Sequence, residues 1–520
     1  MKRYNKITGV LAVATLSLFS ACSEDTMDRI NKDHDHTTSV AARFILTDVI
    51  TSTAFSNSSG DLNTYASAYV EYETGVDNQL FYAEVRENEP SSSSTYNNVW
   101  NGIYSTLKNA RIIVNQCSAG GRDHGNDLTK GMGQVMAAYN CALLTDFFGD
   151  APCSQAALVD ENGSPVYLTP KMDTQQEIYT QLMAYLDDAI VNLQKDDLAD
   201  VSLQDFLYAG DADKWLKFAY GLKARYTMRL IARSSNKNAD LEKVLEYVSK
   251  SFESADDQAA FAIYDASNIN PLYGFYASRA ALGASQSLCN KLTSIGDPRA
   301  DRAFFSPVAS QKRTQVSAGD AALMPAPNGT PDQSTSKYGI SAFMYAKIAP
   351  TLLMSYHELL FLKAEALARL GRDAESALKD AVVAGLLNAE NSISIAIKEL
   401  GSSLTPNASV PFTDTNAKEY FDNVVKARYT ANPLQETMIQ KYLALWGTSG
   451  EATETYNDIR RMKGLNENFI TLSNPLNTTK FPLRYPYGNS DTTANPEVKA
   501  AYGNGDYVYS EAVWWAGGSR

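Results

Sequence analysis

Two short patterns in this chain have residue types that could hold a metal ion. His357 and the glutamate after it match the start of a zinc-protease helix, but Phe361 occupies the position that the second histidine would need. Asp211 and Asp213 could open a calcium-binding loop, yet the twelfth position of such a loop requires glutamate and is Leu222 here. The sequence therefore predicts no metal site at either place, and either aspartate could instead cap the first turn of the following helix.

Acid–base and nucleophilic chemistry have little material in this sequence. It contains four histidines, and two of them, His34 and His36, lie in a polar stretch that is more typical of a solvated segment than of a metal site. It has no G-x-S-x-G motif, phosphate-binding loop or G-x-G-x-x-G motif. Among 59 acidic residues, glycosidase-type carboxylate pairs arise by chance and stay possible. We therefore predict a non-enzymatic protein without catalytic residues, metal or cofactor.

Four cysteines lie beyond residue 22, and their spacing does not resemble that of zinc ligands. Cys117, Cys141, Cys153 and Cys289 form no C-x-x-C pair, and the first two fall within predicted helices. Buried thiols are the favoured interpretation. A disulfide is possible in an exported protein, but the sequence does not determine which cysteines would pair.

The N-terminus resembles the leader of an exported lipoprotein. Three basic residues among the first six precede Val10–Phe19, an apolar run too short for the roughly 20 residues that span a bilayer. Small residues then precede Cys22, as in the cleavage site of bacterial lipoprotein signal peptidase. We predict that residues 1–21 are a lipoprotein signal peptide and that Cys22 is lipidated. The alternative is an ordinary signal peptide followed by an incidental cysteine.

The residues after the leader indicate a location on the outer membrane. A thioether-linked diacylglycerol and an amide-linked acyl chain supply the two lipid signals that stable anchoring needs. The acidic stretch at 23–25 resembles an export signal for the outer face of that membrane, although an acidic linker has the same composition. Residues 22–38 are predicted to be the lipidated cysteine and a flexible tether. The formal net charge of −13 makes nucleic acid and anionic lipid poor partners.

Apolar residues recur at helical spacing through most of the remaining chain, which predicts a mainly α fold. These stripes lie within Trp100–Val114, Met132–Phe147, Ile178–Leu193, Trp215–Tyr226 and Leu241–Phe252.

The clearest helix prediction is Leu353–Leu370, which Gly371 would end as a C-terminal cap. A second helix follows at once, with alanine and leucine spaced by four and three as in tetratricopeptide repeats. We therefore predict a tetratricopeptide-like helical-repeat scaffold that forms a single domain over residues 39–520.

Three long stretches interrupt the helical pattern. Residues 255–280, 303–347 and 465–512 are rich in Pro, Gly, Asn, Ser and Tyr, and loops of this length are uncommon unless they have a function. Tyrosine is abundant, since 30 Tyr exceed 19 Phe and 5 Trp together. Its flat apolar ring and polar tip suit the CH face and hydroxyl rim of a sugar. Alternatively, each loop tyrosine holds its loop to the scaffold.

A series of short motifs occurs in the order typical of one bacterial family. They lie at Tyr96–Asn115, Thr145–Pro152, Tyr208–Trp215 with the helix to Arg225, Gly296–Arg299, Leu360–Gly371, Ile459–Arg461 and Pro482–Tyr487. By these motifs the chain resembles the SusD/RagB family of nutrient-binding outer-membrane lipoproteins, in its SusD-like branch. Cys153 replaces the usual tyrosine and Gly296 the usual asparagine, and neither change threatens a motif that turns a loop or packs a helix.

The resemblance implies a helical scaffold with four tetratricopeptide-like units and a loop-rich face. It also implies a surface-exposed lid on a SusC-like TonB-dependent transporter, to which the protein delivers a captured nutrient. A glycan is the favoured ligand, and the alternatives are a peptide of the same import system, a surface glycosidase or an adhesin. Ligand contacts vary within the family, so our candidate binding residues, Tyr72, Tyr82, Tyr273 and Tyr276, rest on residue type alone.

Overall fold

Helices make up most of the computed structural model, which describes residues 40–160, 162–447 and 450–520. The helices are α1 (Ala42–Ser52), α2 (Asp61–Tyr69), α3 (Asn78–Glu84), α4 (Asn97–Cys117), α5 (Asp127–Phe148), α6 (Gln175–Asn192), α7 (Ala212–Arg229), α8 (Lys237–Ser249), α9 (Pro271–Arg279), α10 (Gln286–Ile295), α11 (Arg299–Arg302), α12 (Tyr356–Arg369), α13 (Glu375–Leu400), α14 (Asp414–Tyr420), α15 (Lys426–Ala431), α16 (Pro433–Ala444), α17 (Ala452–Gly464), α18 (Asn477–Lys480), α19 (Asn489–Ala494), α20 (Pro496–Tyr502) and α21 (Tyr507–Ser510). The predicted leader (1–21), Cys22 and the tether (22–38) lie outside the described residues.

Short strands fill the spaces between helices. They are β1 (Glu73–Gly75), β2 (Ala259–Phe261), β3 (Leu282–Ala284), β4 (Phe304–Phe305), β5 (Arg313–Val316), β6 (Ile340–Ser341), β7 (Thr351–Met354) and β8 (Leu404–Thr405). β1 pairs antiparallel with β3 and β2 with β7, and a four-stranded sheet has the order β6-β4-β5-β8. Because most of these strands have only two to four residues, they join helices rather than form a layer of their own.

The predicted helical stripes are confirmed where the apolar period is long. Each of the five stripes corresponds to one of the helices α4–α8, although Leu193 and Phe252 lie beyond the ends of α6 and α8. Consecutive helices in this series pack against each other, as α4 does on α5 and α5 on α6. Asp211 caps α7 as predicted, since its carboxylate accepts hydrogen bonds from the backbone N–H groups of Asp213 (3.1 Å) and Lys214 (3.2 Å). The fold is mainly α, and α12 packs on α13 as a helical hairpin.

The predicted helix Leu353–Leu370 begins too early. Thr351–Met354 is the strand β7, and the helix starts at Tyr356 after Ser355, whose hydroxyl accepts a hydrogen bond from the N–H of Glu358 at 3.1 Å. All four β7 residues are buried, and a short apolar run buried on every side has no period that separates a strand from a helix. The other end is as predicted, because Gly371 follows the helix with a φ of +69°.

The three irregular stretches contain more regular structure than predicted. Residues 255–280 include β2 and α9, and 303–347 include β4, β5 and β6. Short helices, α18 to α21, occupy much of 465–512. The prediction of long loops there is therefore wrong in part. Residues Ala42–Arg520 form one compact unit, while the predicted domain boundary at residue 39 stays a prediction.

Buried ion pairs link motif segments that are far apart in sequence. Arg225 on α7 donates from Nε to Oε1 of Glu358 on α12 at 2.8 Å, with both side chains almost fully buried. Arg461 on α17 makes a two-bond contact with Glu365 on α12, at 2.5 and 2.9 Å. Arg461 and a second arginine lower the pKa of Glu365, although burial acts in the opposite direction. Of these four residues Arg225, Glu365 and Arg461 belong to the motifs, and they hold helices together, which agrees with the predicted structural role of the motifs.

The motif turn after α5 fits against the motif segment 482–487. The N–H of Tyr485 donates to the carbonyl oxygen of Phe147 at 2.7 Å, and the Arg484 guanidinium donates to the carbonyl oxygen of Phe148. The backbone reverses direction at Gly149, the residue after Phe148. There φ is +76°, and a Cβ atom would lie 2.6 Å from Nη2 of Arg484. Both constraints restrict this position to glycine.

Candidate ligand-binding surface

Two of the four candidate tyrosines are buried in the scaffold. Tyr72 is 2% exposed, and its hydroxyl contacts the carbonyl oxygen of Tyr442 and the hydroxyl of Thr455. Tyr276 is 6% exposed and accepts a hydrogen bond from Nη2 of Arg313 at 2.9 Å. Their rings are not accessible to a ligand in this structure, and their hydrogen bonds fit the alternative that such tyrosines secure the surrounding chain.

The other two tyrosines reach the surface. Tyr82 on α3 is 39% exposed, and its ring lies edge-on to that of Phe81, with centroids 5.7 Å apart. Tyr273 on α9 is half-buried, and the ammonium group of Lys347 lies 5.7 Å from its ring centroid. Tyr273 and Tyr276 both contact Tyr345, at centroid distances of 6.5 and 5.7 Å.

A strand pair brings α3 and α9 together. β1 runs directly into α3 and β3 follows α9, and the two strands pair with Gly75 opposite Leu282 and Glu73 opposite Ala284. Across the two helices, the Arg279 guanidinium donates to the side-chain carbonyl of Gln79 at 2.6 Å. The start of α3 therefore lies beside the end of α9.

We call six exposed or partly exposed side chains of these two helices the α3–α9 surface. It comprises Gln79, Phe81, Tyr82, Tyr273, Phe275 and Arg279. The Arg279 guanidinium lies 5.7 Å from the Phe275 ring centroid, so a cation, the Gln79 amide and one aromatic ring are close neighbours here. Sequence reasoning missed Gln79, Phe81, Phe275 and Arg279 because it predicted neither α3 nor α9. The pair Asn270-Pro271, an N-cap followed by proline at the first helical position, was the signal for α9.

Buried polar side chains at the end of α3 attach this helix to the rest of the protein. The Glu84 carboxylate accepts hydrogen bonds from the backbone of Gly329 (2.7 Å) and from the Asn474 amide (3.1 Å), and burial raises its pKa to about 7. The Arg86 guanidinium donates to the carbonyl oxygen of Ala83 at 2.5 Å and to Oδ1 of Asn477 at 2.8 Å. The segment is therefore attached to two distant parts of the chain.

The backbone around α3 and α9 is strained. Eleven described residues other than glycine have a positive φ, and five of them lie near these helices. They are Glu71 (64°), Asn78 (46°), Arg86 (56°), Asn88 (56°) and Ala280 (48°). Each such conformation costs on the order of 1–3 kcal/mol and persists only where surrounding contacts impose it. Strain of this kind is common where side chains are held ready for a ligand.

Glu73 in β1 is a buried carboxyl group next to this surface. One oxygen accepts hydrogen bonds from the hydroxyl of Ser341 (2.7 Å) and the indole N–H of Trp446 (3.4 Å), and the other has no hydrogen-bond partner. Burial raises the pKa of Glu73 to about 8, more than these two donors lower it. The group therefore holds its proton at neutral pH.

A cavity away from this surface is lined by α12, α13 and α14. Its volume is about 460 Å³, and its lining includes Tyr356, Asp380, Leu387, Asn391 and Lys418. None of the four candidate tyrosines lines it. The polar residues of this cavity lie on helix faces. Their sequence pattern is the same as that of an ordinary solvent-exposed helix face, so nothing in the sequence signals the cavity.

The arrangement suits non-covalent binding. Within the described residues, no group of three or more His, Cys, Asp or Glu side chains is placed to hold a metal ion. Exposed rings beside amide and guanidinium donors can stack on the apolar face of a ring compound and hydrogen-bond its rim. In the same described ranges, no helix has the length and apolar character that crossing a membrane requires.

Comparison with known families decides what kind of protein this is. A family model described as starch-binding and associating with the outer membrane matches residues 34–488, most of the chain. The chain belongs to the SusD-like family. The family is associated with the outer membrane and binds nutrients such as starch, so the resemblance inferred from the motifs is confirmed.

Solved structures agree with this membership. A SusD/RagB family protein of Bacteroides thetaiotaomicron is 79% identical, has a TM-score of 0.90, and aligns over 93% of this chain and all of its own. A SusD homologue of Bacteroides fragilis is 19% identical with a TM-score of 0.69, over 92% of this chain and all of its own. A chitin-binding SusD homologue of Flavobacterium johnsoniae is also 19% identical, with a TM-score of 0.66 over 91% and 98%. No curated protein matches the chain significantly.

Proposed function

We propose that this SusD-like protein is a cell-surface lipoprotein that binds an oligo- or polysaccharide and passes it to a SusC-like TonB-dependent transporter. The observation that carries the proposal is the α3–α9 surface, where the exposed Tyr82 ring and the partly exposed Phe81, Tyr273 and Phe275 rings lie on the same two helices as the Gln79 amide and the Arg279 guanidinium. Membership in a family described as starch-binding, and a chitin-binding homologue of the same fold, support a glycan as the ligand.

The chemistry of the surface fits a sugar chain. Tyr82 and Tyr273 offer ring faces for the CH face of a pyranose, which is apolar and flat enough to stack. Gln79 and Arg279 offer N–H donors to hydroxyl or ring oxygens at the rim. Each such contact is weak, so one sugar unit binds with a Kd near 1 mM, about −4 kcal/mol, and a polymer gains from several units at once.

Capture without cleavage is the second part of the proposal. The four sequence motifs of hydrolases and nucleotide enzymes considered above are absent, and the buried acids Glu358 and Glu365 are engaged by arginines. A carboxyl group fixed by an arginine in the core cannot reach a glycosidic bond.

Anchoring and delivery complete the proposal. Cys22 carries the lipid after residues 1–21 are removed, residues 22–38 span the gap to the body, and the protein faces the exterior. The transporter partner follows from the resemblance to SusD/RagB proteins. Co-purification of the chain with a TonB-dependent transporter from detergent-solubilised outer membranes tests this part, and its absence from such preparations would contradict it.

Calorimetric titration of the unlipidated chain, residues 23–520, tests the binding. The panel contains polysaccharides, matched oligosaccharides and peptides, and product formation is followed by chromatography. We expect saturable binding to one glycan class, tighter for polymers than for short oligomers, with no product. Binding to peptides alone would support the peptide alternative, and release of shorter sugars would refute capture without cleavage.

A further inference from the structure

Two buried cysteines lie side by side next to the motif turn after α5. Cys141 is on α5 and Cys153 follows the turn, and their Sγ atoms are 3.5 Å apart. Neither thiol has any exposed surface. The sequence did not determine which cysteines could form a disulfide, and this contact identifies Cys141 and Cys153 as the two that are close enough.

The backbone of Cys153 is fixed on both sides. Its N–H donates to the Asp173 carboxylate at 2.8 Å, and its carbonyl oxygen accepts a hydrogen bond from Nη1 of Arg111 at 2.9 Å. Cys141 is held within a helix that is buried over most of its length. A disulfide bond is about 2.05 Å long, so the two sulfurs need to approach by about 1.5 Å.

An arginine lies beside the two thiols, which shift each other's pKa in opposite directions, lowering that of Cys141 and raising that of Cys153. The Arg111 guanidinium lies 3.8 Å from Sγ of Cys153. A hydrogen bond from Cys153, and then Arg111, lower the pKa of the Cys141 thiol against the effect of burial. A zinc site is not an alternative, because the described residues contain no group of three potential ligands around these thiols.

We propose that Cys141 and Cys153 form a disulfide when the chain folds outside the cytoplasm. The inference rests on the proposed export of the protein, since disulfides persist in oxidising compartments. It assigns a covalent link between α5 and the segment after the motif turn. Cys153 stands where the family pattern has a tyrosine, so the link would be a feature of this chain and of relatives that share both cysteines.

The reaction needs a disulfide-bearing thiol oxidase of the cell envelope as oxidant. The Cys141 thiolate attacks one sulfur of the oxidase disulfide, and the other oxidase sulfur leaves as a thiolate that takes up a proton. The Cys153 thiolate then attacks Sγ of Cys141, and the second oxidase sulfur leaves. Two electrons and two protons pass to the oxidase. Because both thiols are buried in the folded protein, the exchange takes place during folding.

Peptide mapping of the full-length protein tests the proposal. The chain is expressed in Bacteroides thetaiotaomicron, extracted, denatured and alkylated with iodoacetamide before any reduction. We expect a peptide cross-linked between Cys141 and Cys153, with Cys117 and Cys289 alkylated as internal controls. Alkylation of both Cys141 and Cys153 in outer-membrane material whose Cys22 carries lipid would overturn the proposal.

A separate arm distinguishes failure of export from failure of the pair. If the Cys22 peptide carries no lipid and the chain stays inside the cell, export has failed, and the purified chain is refolded in a glutathione redox buffer. A Cys141–Cys153 cross-link after refolding supports the pair, and free thiols at both Cys141 and Cys153 overturn it. A reductant should then lower the Tm of the oxidised wild type by a few degrees, as expected for a loop this short, and leave that of Cys153→Ser unchanged.

Discussion

Replacement of Glu73 by glutamine tests the conclusion that a buried carboxyl group beside the α3–α9 surface keeps its proton. Glutamine has nearly the same shape, retains an oxygen to accept the hydrogen bond of Ser341, and cannot ionise. The Glu73 oxygen that has no hydrogen-bond partner is replaced by an NH₂ group that also has none. Above the pKa of Glu73 the two side chains therefore differ mainly in charge.

The magnitude follows from the pKa of Glu73, which burial raises from 4.5 in the unfolded chain to about 8 in the folded protein. Below pH 4.5 both states bind the proton and the group does not affect stability. Between pH 4.5 and 8 the folded chain holds a proton that the unfolded chain releases, so stability falls by about 1.4 kcal/mol per pH unit. Above pH 8 the effect is constant. Between pH 5 and 8 the wild type should therefore lose about 4 kcal/mol relative to Glu73→Gln.

Urea denaturation at pH 5, 6, 7 and 8 measures this difference for both proteins. The comparison at each pH removes the contribution of all other titrating groups, including Glu84, whose pKa is also raised. Glu87→Gln is the matched control, because Glu87 lies near the same helix and is exposed. We expect no pH-dependent difference for this control.

A difference between wild type and Glu73→Gln that stays constant from pH 5 to 8 would refute the reasoning. It would mean that Glu73 is ionised in the folded protein and that its two donors, Ser341 and Trp446, compensate for burial. A difference that grows in favour of the wild type as pH rises would refute it more strongly.

Substitutions at three further residues test the scaffold. Gly149→Ala should destabilise the protein by about 1–3 kcal/mol, because φ is +76° and the new Cβ would meet Arg484; urea denaturation at pH 7 measures this, and an unchanged midpoint would contradict it. Asp211→Ala should cost about 1 kcal/mol through loss of the α7 cap, and Asp211→Asn, which keeps an acceptor, should cost less. Glu365→Gln should lower the free energy of unfolding by about 3–5 kcal/mol, because it leaves the buried positive charge of Arg461 without this negative partner. Because the pKa of Glu365 is lowered on folding, this cost should shrink as the pH falls below its unfolded value of 4.5, and a cost that rises there would be contrary evidence.

Local sequence patterns predicted the long helices because those patterns repeat over many residues. The stripe of α4 and the cap of α7 at Asp211 depend only on neighbours within a few turns. β7 was misread because four buried residues, Thr351–Met354, contain too little pattern. Its partner strand is about 90 residues earlier, at Ala259–Phe261, and no local rule connects the two.

The candidate surface was predictable in residue type but not in position. Tyr82 and Tyr273 were chosen because tyrosine suits binding, and they do reach the surface. Tyr72 was chosen on the same grounds but is covered by Tyr442, 370 residues away. The α3–α9 surface itself depends on the pairing of β1 with β3, so its geometry arises from a contact between residues near 74 and 283.

The central claim, that the α3–α9 surface binds the nutrient, is tested most directly by titrating the glycan that binds the wild type into Tyr82→Ala and Tyr273→Ala. Tyr167→Ala is the matched control, because Tyr167 is similarly exposed, at 44% against 39% for Tyr82, and lies between α5 and α6. The account predicts about tenfold weaker binding for each surface variant, equivalent to about 1.4 kcal/mol, and an unchanged Kd for the control. Wild-type affinity in both surface variants, with their folding intact by circular dichroism, would contradict it.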